Sequence, residues 1–395
     1  MLWLGLSSRE AEGIISEAPI EYSGIDAMYT GKLLKIGMIG HGFIARAHAN
    51  AFVQVGHFFD SPYRMQLRVI CGRDRDKTTE MAKRWGWEEV TSDWRSVVER
   101  RDIDVVDIAT PNALHAPIAL AAAAAGKMIW CEKPLALSAR QAEEMAEATK
   151  DLPNLIWFNY RRVPAIAFAK TLLDQRRLGQ IYHYRGLYLN QSGNDPQKAS
   201  GWRYQRIQAG SGALGDLMSH LIDLALYLNG PLTEISAMSH TFQAGRDVDD
   251  AVALLARFAN GSTGTLEATR YAIGCRNGNA FAIHGSGGML AFDLERMNRL
   301  KFWDATEPAQ FAGRRDIMVT GPNHPFWENF WKPGHEIGYE HTFIATLADF
   351  LRALDRGEPF HPNFEDGLKV QRLLEAIEQS ASSATWVKVS AVPGG

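Results

Sequence analysis

The sequence predicts an α/β protein in which a doubly wound parallel sheet is followed by an α+β domain with a large, mainly antiparallel open sheet. Three observations carry this expectation. Between Lys35 and Phe158 short apolar runs alternate with helical stretches of about 10 to 13 residues, as parallel strands joined by helical crossovers require. Beyond Phe158 the strand-like runs lengthen, and turn signals such as Asn260-Gly261 and Gly285-Ser-Gly-Gly288 separate them. The chain has 395 residues, enough for two or three cores.

Residues 1–33 mix Gly13, Pro19, Gly24 and Gly31 with scattered charges and no period, so a tail is expected there. The first domain is expected over 34–158. Its strands are Ile36 to Ile39, Leu67 to Cys71, Val105 to Ala109, Met128 to Cys131 and Leu155 to Phe158. Helices are expected over Ile44 to Val55, Asp76 to Trp85, Ala113 to Ala125, and from the cap Ser138 to Ala148. The second domain, 159–395, should place strands at Ile181 to Leu189, Ile235 to Phe242, Ala251 to Phe258, Ser262 to Arg270, Ala280 to His284 and Met289 to Phe292. Ala251 to Ala256 is apolar at successive positions, which implies cover on both faces, one by helices and the other by a second subunit. A homodimer or homotetramer through that sheet follows. Helices over Thr342 to Arg356 and Asp366 to Ser380 should pack back on the first domain.

Composition excludes several classes of function. With 42 basic and 45 acidic residues the net charge is −3, so no positive field exists to hold a nucleic acid. A hydrophobic content of 46% with 22% charged residues is globular. No run approaches the ~18 apolar residues of a spanning helix, and Met1 to Leu6 lacks the basic region of a signal peptide. Cys71, Cys131 and Cys275 are far apart and form no metal-binding pair, which fits a reducing, cytoplasmic setting.

The chemistry-bearing motifs lie where the predicted strands end. Gly40-His41-Gly42-Phe43-Ile44-Ala45 follows the first strand and opens a helix. Gly40 allows the tight turn, Gly42 lets backbone approach a pyrophosphate, and the amides around Phe43 and Ile44 meet its charge. The second strand ends in Cys71-Gly72-Arg73-Asp74. Gly72 removes the usual acceptor for a ribose hydroxyl, Arg73 offers a fork for a 2′-phosphate, and Asp74 is within reach of the ribose, so NAD and NADP both stay open. Thr110, Pro111 and Asn112, with His115, follow the third strand at the switch point of the sheet, where ligands bind. Glu132-Lys133-Pro134 ends the next strand and aims Lys133 into the same crevice.

Further along, Leu214, Leu217, Leu221, Leu224 and Leu228 form the apolar stripe of a helix, with Asp216, His220, Asp223 and Tyr227 as a polar stripe beside it. Asp216 and His220, four apart, should share one face. Asn159-Tyr160-Arg161-Arg162 and Trp202-Arg203 offer aromatic faces and guanidinium forks suited to sugar hydroxyls. His335-Glu-Ile-Gly-Tyr-Glu-His341 is not read as a metal site, because Tyr339 stands where the second histidine of H-E-x-x-H belongs.

Taken together, the glycine motif, Thr110-Pro-Asn-x-x-His115, Glu132-Lys133-Pro134 and Gly212-Ala-Leu-Gly-Asp216-x-x-x-His220 resemble the Gfo/Idh/MocA family of sugar dehydrogenases over residues 34–390. The resemblance implies a Rossmann domain, NAD or NADP as hydride carrier, a sugar or polyol substrate, and Lys133 working with Asp216 and His220. Met218-Ser219 departs from the Gly-containing pair common in the family between its Asp and His. Oxidation of a secondary alcohol needs a base, a cation for the developing alkoxide and an orienting group, and His220, Lys133 and Asp216 can fill these roles. Two rival expectations are glycoside cleavage through transient oxidation and a nucleotide-bound sugar sensor without turnover.

Overall fold

Strand β1 (Lys32–Ile39) is buried on both faces from Ile36 onward, as the centre of a parallel sheet must be. The computed structural model describes residues 31–195 and 201–389. In it β1 pairs in parallel with β2 (Tyr63–Cys71) and with β4 (Val105–Ile108). With β3 (Glu89–Thr91), β5 (Met128–Cys131) and β6 (Asn154–Ile156) they form a six-stranded sheet in the order β3-β2-β1-β4-β5-β6. The order reverses between β1 and β4, which opens a crevice at their carboxyl ends.

Helices α1 (Phe43–Phe58), α2 (Arg75–Trp85), α3 (Trp94–Val98), α4 (His115–Ala124) and α5 (Ala139–Thr149) make the crossovers. Asp74, Asp93 and Ser138 cap α2, α3 and α5 through side-chain oxygens that accept first-turn N–H groups. Three elements of this half differ from expectation. β3 and α3, of 3 and 5 residues, are too short to show a period. β1 begins at Lys32, inside the stretch expected as tail; residues 1–30 of that stretch lie outside the described residues.

The chain then passes through α6 (Pro164–Asp174) into a nine-stranded sheet. Its strands are β7 (Ile181–Leu189), β8 (Leu232–His240), β9 (Ala251–Phe258), β10 (Thr263–Thr269), β11 (Gly278–Gly285), β12 (Gly288–Asp293), β13 (Arg299–Asp304), β14 (Arg315–Met318) and β15 (Val387–Lys388). The order is β14-β13-β12-β11-β7-β10-β9-β8-β15, antiparallel except for the β7–β10 pair. The short α7 (Arg206–Ala209) and then α8 (Ser219–Asn229) lie between β7 and β8 in sequence, and α8 packs on β7. Among the described residues β9 is covered on one face only. Val252, Leu254, Ala256 and Phe258 point inward, whereas Leu255 is 52% exposed beside Met238 at 66%.

The last two helices connect the halves. α9 (Tyr339–Arg356) lies along α1 and buries Phe343, Leu347, Phe350 and Leu351 in one core with Phe52, Trp130 and Trp157. α10 (Phe364–Ser383) bridges α5 and β8. The first sheet thus receives one of its covering layers from the far end of the chain.

Candidate active site

The crevice between the two sheets is a cleft of about 650 Å³. One end is formed by the turn from β1 to α1. Gly40 has φ +131°, and a Cβ there would meet Ala109 O at 2.2 Å, so only glycine closes this turn. Gly42 has open space around the position a Cβ would take, and as N-cap it makes no side-chain cap. The first amides of α1 therefore face the cleft without a side-chain acceptor. Across the crevice, the Thr110 hydroxyl is buried and makes no hydrogen bond. A phosphate cradle, space for backbone approach and an unpaired hydroxyl together fit a dinucleotide.

At the other end, Lys133 leaves the carboxyl end of β5 and reaches the chain before α8. Its Nζ donates to Asp216 O at 2.7 Å and to Asp216 Oδ1 at 3.1 Å. Arg270, buried at the end of β10, donates from Nη2 to Asp216 Oδ2 at 3.0 Å. Burial would raise the Asp216 pKa, but Lys133, Arg270 and Arg203 outweigh it and hold the carboxyl well below its usual value. His220 sits beside them, its ring centroid 4.5 Å from that of Tyr160. Burial, with the Lys133 charge second, lowers its pKa well below the ordinary histidine value. At neutral pH it is an uncharged imidazole that can accept a proton.

Behind Lys133 lies a buried charge network. The Lys133 N–H donates to Glu132 Oε2 at 3.1 Å. Glu132 Oε1 accepts from His48 Nε2 at 3.1 Å, and Asp107 Oδ2 accepts from His48 Nδ1 at 2.9 Å. Asp107 Oδ1 also accepts from Trp157 Nε1 at 3.0 Å, and the Trp157 ring stacks on His48 at 4.3 Å. Burial opposes charge on His48, but Asp107 and Glu132 override it and push its pKa up to about 9.

Residues 34–160 match the family model described as an oxidoreductase family with an NAD-binding Rossmann fold, and residues 166–291 match the GFO/IDH/MocA C-terminal domain. The chain belongs to the Gfo/Idh/MocA family. Levoglucosan dehydrogenase of Pseudarthrobacter phenanthrenivorans is 41% identical over 383 residues, covering 90% of this chain and 98% of that one. Myo-inositol 2-dehydrogenase of Thermotoga maritima is 25% identical over 370 residues, covering 91% and 100%. A solved levoglucosan dehydrogenase, in complex with NADH and levoglucosan, superposes with a TM-score of 0.88 at 42% identity, over 91% of this chain and all of that one.

Within this Gfo/Idh/MocA chain the cleft collects most of the residues singled out from sequence. Gly40, Gly42, Phe43, Ile44, Arg73, Thr110, Pro111, Asn112, Glu132, Lys133, Trp202, Arg203, Asp216 and His220 all line it. Several singled-out residues do not, Arg161 and His115 among them. Arg161 is buried away from the cleft, its Nε and Nη2 donating to Asp223 at 2.6–3.1 Å and its ring-facing side over Tyr227. A guanidinium so committed has no fork left for a sugar. His115 sits beneath the cleft wall, with Nδ1 2.9 Å from Pro134 O and Nε2 3.1 Å from Thr110 O. It ties the Lys133 loop to the Thr110 loop instead of touching a ligand.

The helix carrying Asp216 and His220 also differs from expectation, because residues Leu214–Met218 form a π-helical turn ahead of α8. Such wide turns recur at functional sites. Asp223 and Tyr227 of the expected polar stripe turn away to Arg161, so that only Asp216 and His220 reach the cleft. Sequence reasoning missed Arg270, Tyr188, Asn190, Asn277 and Tyr339, all of which line the cleft. Tyr188 Oη donates to Asn277 Oδ1 at 2.7 Å and lies 3.1 Å from Tyr160 Oη. The one usable signal was Arg270, a charged residue closing a strand-like run.

Proposed function

We propose that the chain oxidises a secondary hydroxyl on the ring of an uncharged sugar, with NAD(P) as hydride acceptor, and runs the reverse reduction at the same site. A dinucleotide held by the Gly40–Gly42 turn would supply nicotinamide C4 as the hydride acceptor or donor. The observation that carries this reading is the placement of Lys133 Nζ against Asp216, with the His220 ring beside them, in the cleft that holds the Gly40–Gly42 cradle.

Lys133 has three N–H donors, and Asp216 takes two of them. The third is left for the substrate oxygen, where it steadies the alkoxide as the carbon–hydrogen bond breaks. His220, neutral and with no hydrogen bond to any described residue, accepts the hydroxyl proton. The products are a ketone, a protonated His220 and reduced nicotinamide. Asp216 is fixed by Arg270 on its second oxygen and so holds Lys133 at one position.

A pyranose or a cyclic polyol is the substrate class, and the names of the relatives put an anhydrohexose first among those to try. The lining carboxylates Glu132 and Asp216 are already balanced by His48, Lys133 and Arg270, which suits an uncharged ligand. Residues 34–158 would bind the nucleotide and 159–395 the sugar. The exposed apolar face around Leu255 and Met238 would receive a second copy of the chain. The cytoplasm is the compartment that fits the buried free thiols of Cys71 and Cys131, and no described helix is long and apolar enough to cross a membrane.

The test is a panel of levoglucosan, glucose, methyl glucosides and myo-inositol, each offered with NAD and NADP while reduced-nicotinamide absorbance is followed. Steady production with at least one ring polyol is expected. Substrate cleavage without net reduced nicotinamide would instead establish glycoside cleavage through transient oxidation, and tight sugar binding with no chemistry would establish a sensor.

A further inference from the structure

The adenosine end of the cleft has a charge pattern that the hydride chemistry does not use. In this fold a coenzyme with a free ribose 2′-hydroxyl is met by a carboxylate just after the second strand. Here that place is taken by Gly72, where a side chain would have to displace the His41 ring and the Thr78 hydroxyl. A Cβ would lie 2.3 Å from His41 Nδ1 and 2.3 Å from Thr78 Oγ1.

The next carboxylate along the chain, Asp74, is turned into α2. It accepts the Lys77 N–H at 3.2 Å, pairs with Lys77 Nζ at 2.9 Å, and does not line the cleft. The carboxylates that do line it, Glu132 and Asp216, are engaged at the Lys133 end. What faces the cleft beyond Gly72 is Arg73, with the His41 ring, the Ser92 hydroxyl and Trp94 around it. Arg73 is exposed and makes no ion pair or hydrogen bond with any described residue.

We propose that this end is built for a 2′-phosphorylated adenosine, so that NADP(H) binds more tightly than NAD(H), with the Arg73 guanidinium forking the 2′-phosphate. A planar guanidinium offers a phosphate two parallel N–H bonds, whereas toward a neutral 2′-hydroxyl its charge gains little. Ser92 supplies a further hydroxyl donor. With Gly72 in that place, no acid there repels the phosphate. The proposal rests on the dinucleotide reading of the cleft.

The test uses the full-length protein and isothermal titration with adenosine 2′,5′-bisphosphate and 5′-ADP, without sugar or turnover. The wild type is expected to bind the 2′-phosphorylated compound at least ~10-fold more tightly, and Arg73→Ala to lose most of that preference while 5′-ADP affinity changes less than ~3-fold. Arg73→Lys should keep part of the preference, since the charge remains without the fork. Tighter binding of 5′-ADP by the wild type, or a preference that survives Arg73→Ala, overturns the assignment while leaving dinucleotide binding intact. Binding of neither compound overturns the dinucleotide reading and this assignment with it.

Discussion

His220 and Lys133 divide one proton and one charge between them. Because burial and Lys133 hold the imidazole neutral, oxidation should show no loss of kcat/KM on lowering the pH through about 6.5, where an ordinary histidine protonates. A pH–rate profile with its acid limb centred there would contradict that role. His220→Ala and Lys133→Ala should each lower turnover by about 10² to 10⁴, with binding of reduced nicotinamide dinucleotide, followed by its fluorescence, retained. Turnover near wild type in either variant would remove the residue from the chemistry. Strand ends and helix spacing made the positions of these residues legible in the sequence, while their roles came from the resemblance to the Gfo/Idh/MocA family. Arg161 was misread for the opposite reason. Its partner Asp223 lies 62 residues away, and nothing local distinguishes a guanidinium aimed at a sugar from one locked in a buried ion pair.

At the level of elements, β4, β5 and α1 are joined through His48, which carries charge in the interior because Asp107 and Glu132 surround it. Its pKa of about 9 in the folded chain lies above the ordinary value near 6.5 expected when unfolded. Folding therefore favours the protonated form. The resulting stability is complete below about 6.5 and is lost as the pH rises through about 9. Urea unfolding at pH 6 and pH 10 should show wild type losing on the order of 3 kcal/mol through this group, a loss that His48→Gln cannot display. An equal pH dependence in both proteins would refute the linkage. The alternation of strands and helices was legible because the crossovers α1, α2, α4 and α5 run 10 to 16 residues. β3, α3, β13, β14 and β15 escaped because 2 to 6 residues without a clear boundary cannot be told from loop. The π-helical turn at Leu214–Met218 escaped because one wide turn leaves the apolar stripe on either side unchanged.

The whole molecule presents a nine-stranded sheet with helices on one face and Leu255 and Met238 exposed on the other. An open apolar sheet of this size is expected to pair with another copy. Light scattering after gel filtration should give a dimer or tetramer for the wild type and a shift toward monomer for Leu255→Glu. A monomeric wild type would refute the pairing. The sequence registered this face as a run of successive apolar residues in β9, and the described residues cover only the inward half of that run.

The return of α9 to lie on α1 sets a limit on modularity. A fragment ending near residue 160 would contain every strand of the first sheet and the entire phosphate cradle, yet it would lack the helix that buries Trp130, Trp157 and Phe52. That half is consequently not a transplantable cassette. Any fusion, truncation or exchange of nucleotide-binding halves in this scaffold has to carry residues 339–356 along with it, although they follow the whole nine-stranded sheet except β15 in sequence and bear only one cleft-lining side chain, Tyr339.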